Sequence, residues 1–255
     1  MKSIASELWE TTTDLFPTRR ESRMIAAVIC LAVTISVSEI LMANFFTILI
    51  LPAEPRATKD LVILGVVFLI LFSALRLISF GKEYYRLNIF EKSLAKSRTG
   101  DRVADSWRWA TAMELTSLLT LCGRLFFVSV LLFYFSPIFG ICNLVVCIGI
   151  FQMLSWRLDK QFKSQYEFKE KQRTSNPASN AEKVRTRVIS GEIGSLLSSA
   201  GVIILLGVLI FLFADDGVTP AKAFVLFIAL RMIGQIYSGL SSGLMRFARA
   251  RVFSG

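Results

Sequence analysis

The sequence has no histidine in its 255 residues. That removes imidazole acid–base chemistry and the most versatile nitrogen ligand for transition metals. Cysteine is scarce too: Cys30, Cys122, Cys142 and Cys147 are the four, none in a CxxC pair and all within apolar segments. They read as small hydrophobes, and neither disulfides nor a metal site is expected. There is no phosphate-cradling Walker A loop and no dinucleotide fingerprint, and nothing resembles a nucleophile elbow. A chain lacking all of these is expected not to be an enzyme by itself and to hold no cofactor of its own. Charge is also missing, over long stretches, and this absence says most about the fold.

What fills those stretches is apolar. Hydrophobic residues make up 54% of the chain and aromatics 12%, and mean hydropathy is +0.58. A soluble domain dilutes its apolar residues with charged ones throughout; here the two kinds are segregated into blocks, as lipid exposure demands. Crossing a hydrocarbon core of roughly 30 Å takes about 20 helical residues. Six stretches qualify: 24–51, 61–80, 115–135, 138–156, 189–214 and 221–245. Irregular backbone in lipid would strand its N–H and C=O groups, so each stretch is expected to be a helix.

The first 22 residues are polar and charged, and the apolar run after them is too long for a signal peptide. Within them Ile4, Leu8, Leu15 and Phe16 alternate with Glu7, Glu10 and Asp14, beside Trp9. This suits an amphipathic helix lying in the membrane interface. The domain reading is therefore an interfacial helix over 1–22 and a six-helix transmembrane domain over 23–255, an all-α integral membrane fold.

The net charge is +10. Basicity can signal nucleic acid, but the positions of the cations point to topology instead. Of 29 Lys and Arg, 23 lie in the N-terminal segment, the two long connections and the C-terminal tail, against three on the opposite side, Arg56, Lys59 and Lys222. The positive-inside rule puts the larger set, with both termini, in the cytoplasm of a plasma membrane, a bacterial inner membrane by this reading. No nucleic acid is expected as a partner; the lipid bilayer is. The external connections are short: a Pro-containing link over 52–60, a Ser136-Pro137 turn, and Asp215-Asp216-Gly217 followed by Pro220. The internal ones run to about 30 residues, read as helix over much of their length, and break at 98–101 and 175–180. They are expected to be helical hairpins that carry the membrane helices inward.

Ionisable residues inside the spans are the candidate functional groups. Glu39, Arg124 and Arg231 lie near the middle of the first, third and sixth spans. A charge at the bilayer centre costs on the order of 3 kcal/mol on insertion scales. Such groups are expected to line a translocation cavity or to form an intramembrane ion pair, Glu39 with Arg124 or Arg231. Arg76 and Glu114, nearer the inner ends, are expected to snorkel towards the cytoplasmic interface. Asn143 and Gln152 read as interhelical hydrogen-bond partners. Gly239 and Gly243, four apart, allow close helix approach, more naturally within the chain than between two chains.

The run 98–105, Arg-Thr-Gly-Asp-Arg-Val-Ala-Asp, places a Thr-Gly-acidic turn before a long helix. The run 231–253 ends in Ala248-Arg249-Ala250-Arg251-Val252-Phe253. Together with the interfacial segment before the first span, these resemble the transmembrane domain of ABC exporters: the first-loop turn, the sixth helix with its exit towards an ATPase domain, and the elbow helix. The second cytoplasmic loop is shorter than that family's. The Pro common near the middle of the sixth helix is absent, with Gln235 in its neighbourhood, and a fused ATPase domain is not expected. The resemblance implies an ABC exporter-like arrangement and alternating access. It implies a second transmembrane subunit, identical or related, and a separate ATPase subunit that supplies ATP hydrolysis. That subunit would contact Arg98, Thr99, Gly100 and Asp101 in one turn and Arg173 and Asn176 near the other.

Two readings of function follow. One is a permease subunit; the other is a non-transporting scaffold or assembly component with the same six-helix layout. A channel is the weakest third, since no filter-like loop or charged ring is present.

Overall fold

The computed structural model describes residues 4–50, 58–95, 102–173 and 180–254. Within them the chain forms seven α-helices: α1 (Ile4–Leu15), α2 (Arg19–Ile50), α3 (Thr58–Ala95), α4 (Arg102–Phe135), α5 (Pro137–Arg173), α6 (Asn180–Ala214) and α7 (Pro220–Ser254). No strand occurs among the described residues. Helices α2 to α7 are each long and apolar enough to cross a membrane. The chain is thus an all-helical, multi-pass membrane protein in architecture.

At 32 to 38 residues, α2–α7 are about 48–57 Å long, well beyond a hydrocarbon core of roughly 30 Å. The excess lies mainly at the ends joined by the long connections. Helix α3 continues to Ala95 and α5 to Arg173, while α4 begins at Arg102 and α6 at Asn180. The long connections are therefore extensions of the spanning helices, as the sequence implies. The turns at 98–101 and at Asn176 fall outside the described residues, and Arg173 closes α5.

The short connections follow from local chemistry. Ser136 precedes Pro137, and the Ser136 Oγ accepts a long bond of 3.5 Å from the Phe139 N–H. Pro at the first helical position loses no intrahelical bond, so α5 starts there. Between α6 and α7, the Gly217 N–H reaches the Leu212 carbonyl at 3.0 Å and the Asp216 N–H the Phe213 carbonyl at 3.3 Å. Asp216 has φ 53°. This is a Schellman ending with Asp where Gly is usual.

Helix α7 is the hub, packed against α2, α4, α5 and α6, whereas α3 leans on α2 and touches little else. Small residues permit the close approaches. A Cβ on Gly239 would lie 3.1 Å from Leu121 and one on Gly243 2.9 Å from Leu118. Both glycines therefore seat α7 against α4 of the same chain. A Cβ on Gly194 of α6 would overlap Ser241 of α7. Several hydroxyls at membrane depth are satisfied inside their own helices: Thr34, Ser36, Thr47, Thr116 and Thr120 each donate to the carbonyl four residues back.

The N-terminal helix buries Leu8, Thr11 and the following Phe16 and leaves Trp9 77% exposed. Phe16 stacks on Phe90 of α3, which meets Trp109 of α4 edge-on. The basic end of α7 is held from three sides. Arg251 pairs with Asp14 at 2.6 Å and Arg246 with Glu114 at 2.7 Å. Lys169 donates to the Val252 carbonyl at 2.7 Å, and Phe253 stacks on Trp107.

Candidate functional site

One face of α7 is not covered by the chain's own helices. Phe224, Phe227, Arg231, Gln235, Ser238 and Arg246 recur at helical spacing along it, all exposed. Its character changes along the helix, from aromatic near the α6–α7 turn, through polar at mid-span, to basic at the far end. Two grooves flank it.

The first groove, of about 430 Å³, lies between α2, α3 and α7. Phe46, Phe68, Phe72 and Phe224 line one part, and Glu39, Arg76 and Ser79 the other. Phe68 packs against Phe45 and Phe46. Since α2 and α3 run antiparallel, seven or eight residues further along each helix brings Arg76 level with Glu39. The second groove, about 820 Å³ and wider, lies between α6 and α7 and is lined by Ser195, Ser199, Arg231, Gln235 and Ser238. Ser198 braces its floor by donating to the Gly234 carbonyl at 2.9 Å.

The charged residues singled out from the sequence are therefore not all in one place. Glu39 and Arg231 line different grooves: Ile228 lines the groove of Glu39, and Arg231, three residues on, lines the other. Arg124 is half-buried on α4, and its Nε has no hydrogen-bond partner among the described residues. No ion pair joins Glu39 to Arg124 or Arg231 among the described residues. Equal depth does not fix which side of a helix a residue occupies, and packing sets these three on different sides.

Arg76 does not extend towards the inner interface. Its guanidinium lies 5.3 Å from the Phe72 ring centroid, one turn back along α3. Helical side chains lean towards the N-terminus of their own helix. For α3 that direction is away from the Lys82–Arg86 end, so cation–π contact with Phe72 takes the place of snorkelling. Glu114 likewise finds a protein partner, Arg246.

The mid-span polar cluster joins three helices. Asn143 of α5 is fully buried, donates to the Ser129 Oγ of α4 at 2.9 Å, and accepts from the Tyr237 hydroxyl of α7 at 3.4 Å. Tyr237 also shares a 3.0 Å hydrogen bond with Cys147. Asn143 thus acts as an interhelical partner. Gln152 does not: it is exposed, lines a groove beside Ile4, and makes no side-chain hydrogen bond among the described residues. Tyr237 gave no sign in the sequence, because its role depends on the azimuth of α7.

Contrary to the expectation that nothing resembles a nucleophile elbow, Gly239-Leu240-Ser241-Ser242-Gly243 spell its letters, but they run through uninterrupted helix, with no strand before them among the described residues. They cannot present Ser241 as an elbow does. No group of His, Cys, Asp or Glu among the described residues is arranged to hold a metal. No family model, curated protein or solved structure matches the chain.

Proposed function

We propose that this chain is the membrane-spanning permease subunit of an ABC-type transporter, moving its substrate by alternating access with energy from a separate ATPase subunit. The observation that carries the reading is the open face of α7. Arg231, Gln235 and Ser238 are exposed at mid-span, where lipid contact with an arginine costs on the order of 3 kcal/mol or more. Such a face requires a watery cavity or another protein, and a second transmembrane subunit set across from it would supply both. Glu39 and Arg231 then line opposite flanks of the translocation path.

The long helices support the same reading. Their extensions give a cytoplasmic ATPase helix tips to grip, and on this reading its contacts fall on Arg98, Thr99, Gly100 and Asp101 and on Arg173 and Asn176. Under the positive-inside rule these tips and both termini are cytoplasmic, in a plasma membrane of bacterial inner-membrane type.

The test is purification of the intact complex from native membranes in mild detergent. A nucleotide-hydrolysing subunit in fixed stoichiometry, with ATPase activity in the purified complex, is the expected result. In that complex Arg231→Leu and Glu39→Gln should preserve assembly but uncouple ATP hydrolysis from transport. A stable native complex with partners but no ATPase would overturn the permease reading and favour a scaffold.

A further inference from the structure

Two unpaired charges border the open face of α7, and they stand at the same height. Phe224 on that face also lines the groove of Glu39, together with Phe46 of α2. Arg231 lies seven residues, two helical turns, inward from Phe224, and Glu39 lies seven residues inward from Phe46. The outer helix ends give the same level. Glu39 is eleven residues before Ile50, the end of α2, and Arg231 is eleven residues after Pro220, the start of α7. Among the described residues neither side chain has an ion-pair or hydrogen-bond partner. Arg76, the cation that shares the groove of Glu39, is drawn back over Phe72 instead.

An acid and a base at one height beside one face make a surface that complements itself. Copies of one chain insert in the same orientation, so a two-fold axis relating them runs along the membrane normal and keeps every residue at its own depth. Rotation about such an axis exchanges left and right, which brings α2 of each copy opposite α7 of the other. Each acid then meets the other copy's base, and all four charges are paired with no further component. A partner carrying one sign of charge would answer only one of the two residues. An unrelated subunit would have to supply both signs independently at the right depth.

We infer that the partner across this face is a second copy of the chain, with Glu39 of each copy paired to Arg231 of the other. The inference rests on the second transmembrane subunit of the proposed function but not on transport; a scaffold built this way would pair identically.

The test is made on the full chain in its native membranes. Two differently tagged copies are co-expressed, one Glu39→Cys and the other Arg231→Cys, both in a Cys30→Ser background that removes the exposed native thiol. A glutamate–arginine pair holds its Cβ atoms further apart than a disulfide spans, so a short bis-thiosulfonate linker is the probe. Cross-linked product carrying both tags is expected at about tenfold the yield given by Glu39→Cys with Ile148→Cys. Ile148 is exposed on α5, eleven residues from its outer end, and so serves as a control of equal depth. Equal yields would overturn the proposal, as would a native complex, weighed intact, that holds one copy of this chain.

Charge reversal gives a second readout. Neutral substitution at either position only removes an attraction, whereas Glu39→Arg in both copies sets arginine against arginine and should cut recovery of one tag with the other about tenfold. Adding Arg231→Glu exchanges the two charges and should restore recovery to near the parent level. Rescue by Arg76→Glu in place of Arg231→Glu would put the partner of Glu39 within its own chain and overturn the pairing. The linker result decides even if the reversed charge prevents folding. Two copies joined at these positions without an ATPase would remove the permease reading and leave the pairing intact.

Discussion

Replacing Gly194 with Ala should loosen the contact between α6 and α7, and Ser241 is the reason. An added Cβ at 194 would overlap the Ser241 Oγ and approach the Ser241 Cβ to 2.8 Å. Rotating Ser241 moves the oxygen but not its Cβ, so the helices must part. Overpacking of this kind costs about 1–3 kcal/mol. The 2.9 Å bond from Ser198 to Gly234 sits on the same seam, and its loss adds roughly 0.6 kcal/mol, the average for interhelical bonds in membranes. The better helix propensity of Ala returns about 1 kcal/mol. The net expectation is a loss of about 0.6–2.6 kcal/mol.

Ser241→Gly removes both obstructing atoms. The Ser241 Oγ is buried without a hydrogen-bond partner, so its removal leaves no polar group unsatisfied. The double variant Gly194→Ala/Ser241→Gly should therefore be no less stable than Ser241→Gly alone, and more stable by up to about 1 kcal/mol from the helix propensity of Ala, a coupling that double-mutant cycles resolve. The partly buried Cys122, Cys142 and Cys147 provide the readout. In a Cys30→Ser background, which removes the exposed thiol, a thiol-reactive dye reports unfolding on heating. The single variant should melt roughly 1–10 °C lower. An unchanged midpoint for Gly194→Ala, or no recovery in the double variant, would refute the close-approach argument.

Asn143→Leu should cost only about 1 kcal/mol. Ser129 keeps its 2.8 Å bond to the Leu125 carbonyl and Tyr237 keeps Cys147; Asn143→Ala should cost more because it also leaves a cavity, and the same melting assay ranks the two. A double-mutant cycle on Glu114 and Arg246 should return a coupling below about 1 kcal/mol that shrinks at high salt, because the Arg246 side chain is 58% exposed. Asp216→Gly should raise stability by about 0.5–1 kcal/mol by relieving the positive φ at the α6–α7 turn, while Asp216→Val should lower it; chemical denaturation of the purified protein distinguishes the signs.

The sequence specifies the helices more fully than their faces. Apolar run length locates all six long helices, and turn residues such as Ser136-Pro137 and Asp216-Gly217 locate their short connections, because those signals are local. The glycines spaced at 239 and 243 meet Leu121 and Leu118 of α4. What depth cannot supply is azimuth. Glu39 and Arg231 match in depth along the sequence but line different grooves beside α7, and Arg124 sits half-buried on α4. The direction of a long side chain was misread for a related reason. Arg76 leans with the polarity of α3, away from the interface it was expected to reach. The Glu114–Arg246 pair spans 132 positions, so no local pattern announces it.

The hub position of α7 has a consequence for biogenesis. Ribosomes release α2, α4, α5 and α6 before α7, yet each of those helices packs against it. Until α7 inserts, Leu118 and Leu121 have no glycine notch to fill, Asn143 waits for Tyr237, and Asp14 and Glu114 wait for Arg251 and Arg246. A nascent chain interrupted at Pro220 would sit in the bilayer with four of its helices lacking the one they share as a neighbour, an incompletely packed intermediate with exposed surface that invites misassembly. Completion of this fold is therefore a post-insertion event, timed by the arrival of a single segment.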